Sequence, residues 1–325
     1  MLGDEERRLF KAGDPLGFIL FARNIVDPGQ VRRLTGDLRA AVGRADAPIL
    51  IDQEGGRVQR LRPPHWRAAP AAARFGARFA TDPGAACEAA RLNARLIALE
   101  CLKLGVDVIC APVGDVPSPD SHDVIGDRAF ARDPAVVIAL AEATARGLSD
   151  IGATPVIKHL PGHGRAQVDS HHGLPTVTAS RAELLAVDAC VFKALRDLPW
   201  AMTAHVRFTA LDAERAGTIS PAVIGFIRHD IGFAGLLVSD DLAMNALGGT
   251  PDARAAAALE AGCDVALYCA GTLESAAALL TSVPALSDSA VTRLRLARDA
   301  ARASVPPEPQ RWSGRLAALM GDLVA

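Results

Sequence analysis

Gly235-Leu236-Leu237-Val238-Ser239-Asp240 opens on a glycine, runs through three branched aliphatic residues and ends in a hydroxyl and a carboxylate. A short segment that is apolar at every position is buried on both faces, as the strands of a helix-covered parallel sheet are. The same plan recurs over Gly17 to Phe21, Pro48 to Asp52, Val106 to Pro112, Thr154 to His159, Trp200 to His205 and Asp264 to Cys269. Amphipathic stretches rich in Ala, Arg and Leu lie between these runs, at Asp27 to Val42, Pro83 to Leu104, Pro134 to Ile151, Ser180 to Asp197, Ser220 to Asp230 and Pro251 to Ala261. The alternation predicts an α/β fold.

Several runs end in polar residues: Asp52-Gln53-Glu54, Lys158-His159, His205 and Ser239-Asp240-Asp241. Functional groups at the C-terminal ends of many strands are the mark of a (β/α)8 TIM-type barrel, whereas a doubly wound sheet gathers them near one switch point. The barrel is therefore expected. Its first strand is expected to be short or missing, because seven runs are visible and only Met1 to Gly3 precede the helical segment Asp4 to Lys11. Long stretches at Gln53 to Arg91 and Pro112 to Asp133 are expected as functional loops. One domain is expected over residues 1–325, with 306–325 as a C-terminal tail or helix packed on it.

The chain has 325 residues, of which 50% are hydrophobic and 22% charged, with 35 basic against 37 acidic groups. Such a balance excludes a disordered polyelectrolyte and leaves no basic footprint for nucleic acid, so the expected partner is a small molecule. The six cysteines form no C-x-x-C pair, which suggests neither a zinc ribbon nor a disulfide framework. No apolar stretch approaches the ~20 residues of a membrane span, and Leu-Gly-Asp-Glu-Glu-Arg-Arg after Met1 lacks signal-peptide chemistry. A cytoplasmic protein with no membrane partner and no cofactor is expected. Lysine is scarce beside arginine, occurring at Lys11, Lys103, Lys158 and Lys193.

Three motifs carry the chemistry. In Asp52-Gln53-Glu54-Gly55-Gly56-Arg57-Val58-Gln59-Arg60 two carboxylates stand at a strand end and two glycines permit a tight turn. A carboxylate steadied by an arginine can fix sugar hydroxyls through charge-assisted bonds, and a structural ion pair is the alternative. In Lys158-His159-Leu160-Pro161-Gly162-His163-Gly164, followed by Asp169-Ser170-His171-His172, the i, i+4 histidines invite a metal, but Pro161 and Gly162 disfavour the helix which that spacing needs. Asp169 and His171 point the same way in an extended segment, and the carboxylate raises the imidazole toward what a general acid needs. In Val238-Ser239-Asp240-Asp241-Leu242-Ala243-Met244 only one of the adjacent aspartates can enter a barrel mouth. That one is a candidate nucleophile, and the other is expected to cap the following segment.

Together these motifs resemble glycoside hydrolase family 3, in its bacterial β-N-acetylhexosaminidase branch. The patterns D-x-E-G-G-R-V-Q-R, K-H-x-P-G-H-G, D-S-H and S-D-D-L-x-M occur in the family's order, and the likeness runs from Gly17 through Asp264. The resemblance implies a single cytoplasmic barrel that removes non-reducing terminal β-linked N-acetylglucosamine, with muropeptides as substrates during peptidoglycan recycling. It puts the nucleophile on Asp240 and the acid/base on His171 with Asp169 as its partner. The sugar-binding set falls on Asp52, Arg60, Arg128, Lys158 and His159, which supplies a reason for Lys158 to be lysine. A retaining two-step reaction follows from this. An imidazole that has lost its proton is uncharged, so phosphate in place of water stands as an alternative acceptor. A metal-dependent hydrolase using His159, His163, His171 or His172 is the alternative class. The stretch Gly114 to His122 follows the family's loop only loosely.

Overall fold

The computed structural model describes residues 2–119, 123–167 and 173–321. Helix α1 (Asp4–Gly13) leads into β1 (Phe18–Leu20), then α2 (Pro28–Ala41), β2 (Ile49–Ile51), α3 (Pro83–Leu102), β3 (Val108–Ile109), α4 (Pro134–Asp150), β4 (Thr154–Leu160), β5 (Trp200–Thr203) and β6 (Leu236–Val238). The six strands form one parallel sheet in the order β1-β2-β3-β4-β5-β6, a half-barrel of the TIM-like kind. Sequential order with parallel pairing is what right-handed βα units generate. Among the described residues no strand precedes β1.

Helix starts follow a repeated device. Asp27, Asp82 and Asp133 each cap the first turn by accepting a backbone N–H, and a proline preorganises the next position. Alanine-rich α3 and α4 pack closely, since a Cβ on Gly147 would lie 2.3 Å from the Arg91 carbonyl oxygen. Leu50, Val108, Val156, Trp200, Leu236 and Val238 share one cluster on the inner face of the sheet, whereas Ile49, Ile51 and Leu237 pack outward against the helices. Side chains alternate along a strand. Two residues beyond Leu50, Val156 and Val238 stand Asp52, Lys158 and Asp240, so the inward set continues as charged groups at the C-terminal mouth.

Three expectations are corrected. The run Asp264 to Cys269 joins the sheet only through a parallel bridge between Val265 and Val238. There the Ser239 hydroxyl takes the Leu267 amide at 2.8 Å, where a further strand pair would have used a carbonyl. The single helices expected over Ser180 to Asp197 and Ser220 to Asp230 both contain a π-helical turn: the first is divided into Arg181–Glu183, the turn Leu184–Asp188 and Ala189–Ala194, the second into Pro221–Phe226 and the turn Ile227–Ile231. The stretch Gln53 to Arg91 is no plain loop: it holds an antiparallel ribbon of Gln53–Gly55 with Val58–Gln59 and a helix Ala72–Phe79. Gly55 and Gly56 have φ of +105° and +56° at the ribbon's turn, where a side chain would be strained.

The C-terminal helix Pro309–Met320 buries Trp312, Leu316, Leu319 and Met320, and it packs on α3. Between β1 and the Val265 bridge the sheet is open, and a cavity of about 1620 Å3 lies there, lined by Phe10, Ile19, Leu50, Trp200, Val238 and Leu280 among others. Among the described residues no helix is long and apolar enough to cross a membrane.

Candidate active site

At the C-terminal ends of the strands lies a smaller pocket of about 160 Å3. Asp52, Arg60, Arg128, Lys158, His159 and Asp240 all line it. These residues are far apart in the chain, and the inward parity of β2, β4 and β6 brings Asp52, Lys158 and Asp240 together. Asp169, His171 and His172 lie outside the described residues.

One wall is a buried network of charges. Lys158 Nζ donates to Asp52 Oδ1 at 2.8 Å and lies 2.7 Å from Glu54 Oε1. Arg128 binds both oxygens of Glu54 at 2.9 Å, and Arg60 Nη2 donates to Asp52 Oδ2 at 3.1 Å. Burial pushes the carboxyl groups up, but the cations more than reverse it: Lys158 and Arg60 hold Asp52 below its ordinary value, and Arg128 and Lys158 hold Glu54 at about 2. Desolvation works against the Lys158 charge and the two carboxylates overcome it, leaving the ammonium more firmly protonated than a free lysine. Each Asp52 oxygen accepts one such bond and keeps a second lone pair for a hydroxyl group. Phe21 stands beneath Arg23 and Arg60, whose guanidinium carbons lie 4.6 and 5.3 Å from the ring centroid. The contact of an arginine with an aromatic face steadies both cations, of which Arg60 lines the pocket.

The other wall is made of imidazoles. His159 Nδ1 lies 2.7 Å from Asp115 Oδ2, so this nitrogen carries the proton and Nε2 is the one left for a ligand. Asp115 is fully buried and its Oδ1 also accepts from the His163 backbone N–H at 2.7 Å. Burial opposes its charge, while His159 and the His163 N–H keep it anionic. His163 packs edge-on to His159 with centroids 5.5 Å apart, and burial together with that neighbour pushes it down to about 4, so it is neutral near pH 7.

Asp240 stands between the walls. Burial opposes its ionisation, but the imidazoles of His205 and His159, the Asp241 N–H and Lys158 outweigh it and hold the carboxyl below its ordinary value. Its Oδ1 accepts the Asp241 N–H at 2.8 Å. Asp241 fills the expected second role: its Oδ1 accepts from the amides of Ala243 and Cys269, both at 2.9 Å, tying the end of β6 to the segment after Val265. His205 braces the same turn, with Nε2 donating to the Asp241 carbonyl at 2.9 Å. The arrangement sets a buried carboxylate, held ionised, beside fixed hydrogen-bond acceptors and donors in a pocket of about 160 Å3.

Glu54, Asp115 and His205 belong to the site without having been assigned a part in it from the sequence. Glu54 sits two residues after Asp52, and that parity was the available signal. Nothing in the Asp115 stretch announces a partner 44 residues away. Among the described residues no group of three or more His, Cys, Asp or Glu is placed to hold a metal ion.

Residues 3–302 match the model of the glycosyl hydrolase family 3 N-terminal domain. The β-hexosaminidase of Methylococcus capsulatus is 42% identical over 294 residues, which are 89% of this chain and 85% of that protein. That of Bordetella avium is 42% identical over 259 residues, 78% of this chain and 73% of its own. Among solved structures, NagZ from Neisseria gonorrhoeae in complex with N-trifluoroacetyl-D-glucosamine is similar with a TM-score of 0.87 at 32% identity, covering 98% of this chain and 95% of that one. A family 3 β-N-acetylglucosaminidase from Paenibacillus gives a TM-score of 0.83 at 32% identity, over 94% of this chain and 60% of its own. With its strand-end carboxylates, its Lys158-His159 pair and these relatives, the chain belongs to glycosyl hydrolase family 3 and is a glycoside hydrolase.

Proposed function

We propose that this chain is a retaining exo-β-N-acetylglucosaminidase that removes a non-reducing terminal β-linked N-acetylglucosamine, with cell-wall muropeptides as its substrates in the cytoplasm. The observation that carries the reading is Asp240 in the same small pocket as Asp52, Arg60, Arg128, Lys158 and His159. A relative that binds an N-acylglucosamine and curated β-hexosaminidases support the sugar class. The whole of 1–325 acts as one catalytic domain on a TIM-type frame, with the C-terminal helix packed on it.

In the first step Asp240 attacks the anomeric carbon from one face while His171, paired with Asp169, protonates the leaving oxygen. A covalent glycosyl-enzyme results. In the second step His171 takes a proton from water, which attacks the same carbon and releases the sugar with its configuration retained. Asp52 accepts ring hydroxyls through its remaining lone pairs. Lys158 supplies a donor and His159 Nε2 an acceptor, and Arg128 holds Glu54 so that Lys158 stays in place. A low Asp240 pKa keeps the nucleophile charged across the neutral range.

Release of chromophore from an aryl β-N-acetylglucosaminide beside the matching β-glucoside tests the reading. The N-acetylglucosaminide is expected to be turned over faster, and preference for the glucoside would contradict the assignment. Sugar 1-phosphate formed in phosphate buffer would put phosphate in the place of water.

A further inference from the structure

The turn that follows β4 is held from three sides. Asp115 accepts the backbone N–H groups of His159 and His163 at 3.3 and 2.7 Å. Gly164 lies against the loop after β3: a Cβ there would be 2.1 Å from the Val116 carbonyl oxygen, and its own carbonyl accepts from Ser118 N–H at 3.1 Å. The third support is Asp188, which neither the sequence reading nor the mechanism uses. Its Oδ2 accepts from Arg165 Nε at 2.7 Å, and a Cβ on Gly162 would come within 2.8 Å of its Cβ.

Asp188 is an unusual choice for a packing residue. Its side chain is only 1% exposed, and its Oδ1 has no hydrogen-bond partner among the described residues. It ends the π-helical turn Leu184–Asp188, and the additional residue in such a turn re-aims the side chains around it. Here Asp188 is aimed at the underside of the Gly162 to Arg165 turn. Such bulges gather at functional sites.

We propose that Asp188 is a positioning residue, whose ion pair with Arg165 clamps the Pro161 to Ala166 turn and so fixes His163 and His159 against the catalytic pocket. The groups facing Asp188 are Arg165 from the turn and Asp115 from the loop after β3; Cys190 is the titratable neighbour on its own helix, and Glu183 faces Arg165. Burial pushes the Asp188 carboxyl up to about 6, with Arg165 opposing and Asp115 adding to the rise. The clamp is therefore charged at pH 7.5 and loses its carboxylate charge as the pH falls below about 6. The catalytic part of the inference rests on the glycosidase reading; the clamp itself does not.

Hydrogen exchange on the whole chain separates the two. In Asp188→Asn and in Arg165→Gln, amides in a peptide covering 156–167 should exchange at least tenfold faster at pH 7.5, with peptides of α3 and α4 unchanged. The double variant should be no faster than either single one, because both remove the same contact. In the wild type the same peptide should loosen below about pH 6, beyond the intrinsic pH effect, and Asp188→Asn should abolish that step. Turnover of the aryl β-N-acetylglucosaminide should fall tenfold or more in kcat/KM in both variants, with Arg165→Lys recovering part of it. Wild-type exchange in both single variants would overturn the clamp, and faster exchange with unchanged kcat/KM would overturn its positioning role. If the wild type released no sugar at all, the glycosidase reading would fail while exchange still decided the clamp. Should Asp188→Asn fail to fold, Arg165→Gln carries the test, since its side chain is 24% exposed.

Discussion

The molecule has two neighbouring hollows: one of about 1620 Å3 and one of about 160 Å3, both touched by Ile19, Leu267 and Cys269. The large one takes its lining from the inner face of an open sheet and from apolar residues of α1 and the helix Leu273–Ser282. The small one is walled by carboxylates, cations and imidazoles whose charges are already matched to one another. Volume follows from where the parallel pairing stops, and chemistry follows from which parity of each strand runs past its end. Size alone would select the wrong hollow. The small one is the candidate site because Lys158, Arg128 and Arg60 hold Asp52 and Glu54 ionised against the opposing effect of burial.

If that contrast holds, substitutions in the two hollows must behave differently. Asp240→Ala should lower kcat by about 10^4-fold or more, as loss of a nucleophile does, while sugar binding measured by calorimetry stays near wild type. Turnover close to wild type would remove Asp240 from its role. Lys158→Met should destabilise the fold by about 3–5 kcal/mol in chemical denaturation, because it leaves two buried carboxylates without their shared cation. Lys158→Arg should not restore activity, since a planar fork does not replace a point charge held between Asp52 and Glu54.

Acid should weaken the charge network of the small hollow. Glu54 has its pKa lowered to about 2, against an ordinary value near 4.5. Its contribution to stability is present above the unfolded-state pKa and is lost as the pH falls through the folded value. Melting temperature should therefore drop between about pH 4.5 and pH 2, and Glu54→Gln should flatten that part of the profile. A profile of unchanged slope would mean that the network does not anchor the fold. The smallest effect belongs to the large hollow. Ala276→Leu adds apolar volume facing the cavity and should change stability by no more than about 1 kcal/mol with kcat/KM unchanged. A loss of activity there would show the two hollows to be coupled.

The strands were readable because each is a short apolar run, and the helices because Asp27-Pro28, Asp82-Pro83 and Asp133-Pro134 mark their starts. Asp52, Lys158, His159 and Asp240 were readable because they end those runs. Asp115 was not, since its meaning lies in an imidazole brought to it by the neighbouring strand. The π-helical turn at Leu184–Asp188 left no trace either: it breaks a pattern of apolar residues that reads as one continuous helix. The seventh run differed for a local reason, the Ser239 hydroxyl that takes the Leu267 amide in place of a strand partner.

The most direct test is to trap the covalent intermediate. A fluorinated N-acetylglucosaminyl donor with a good leaving group forms the glycosyl-enzyme quickly and releases it slowly, so mass spectrometry of the digested protein can locate the sugar. The account predicts a single glycosylated residue, Asp240, and no label in Asp240→Asn. A sugar attached to another residue, or full turnover with none attached at any time, would contradict it.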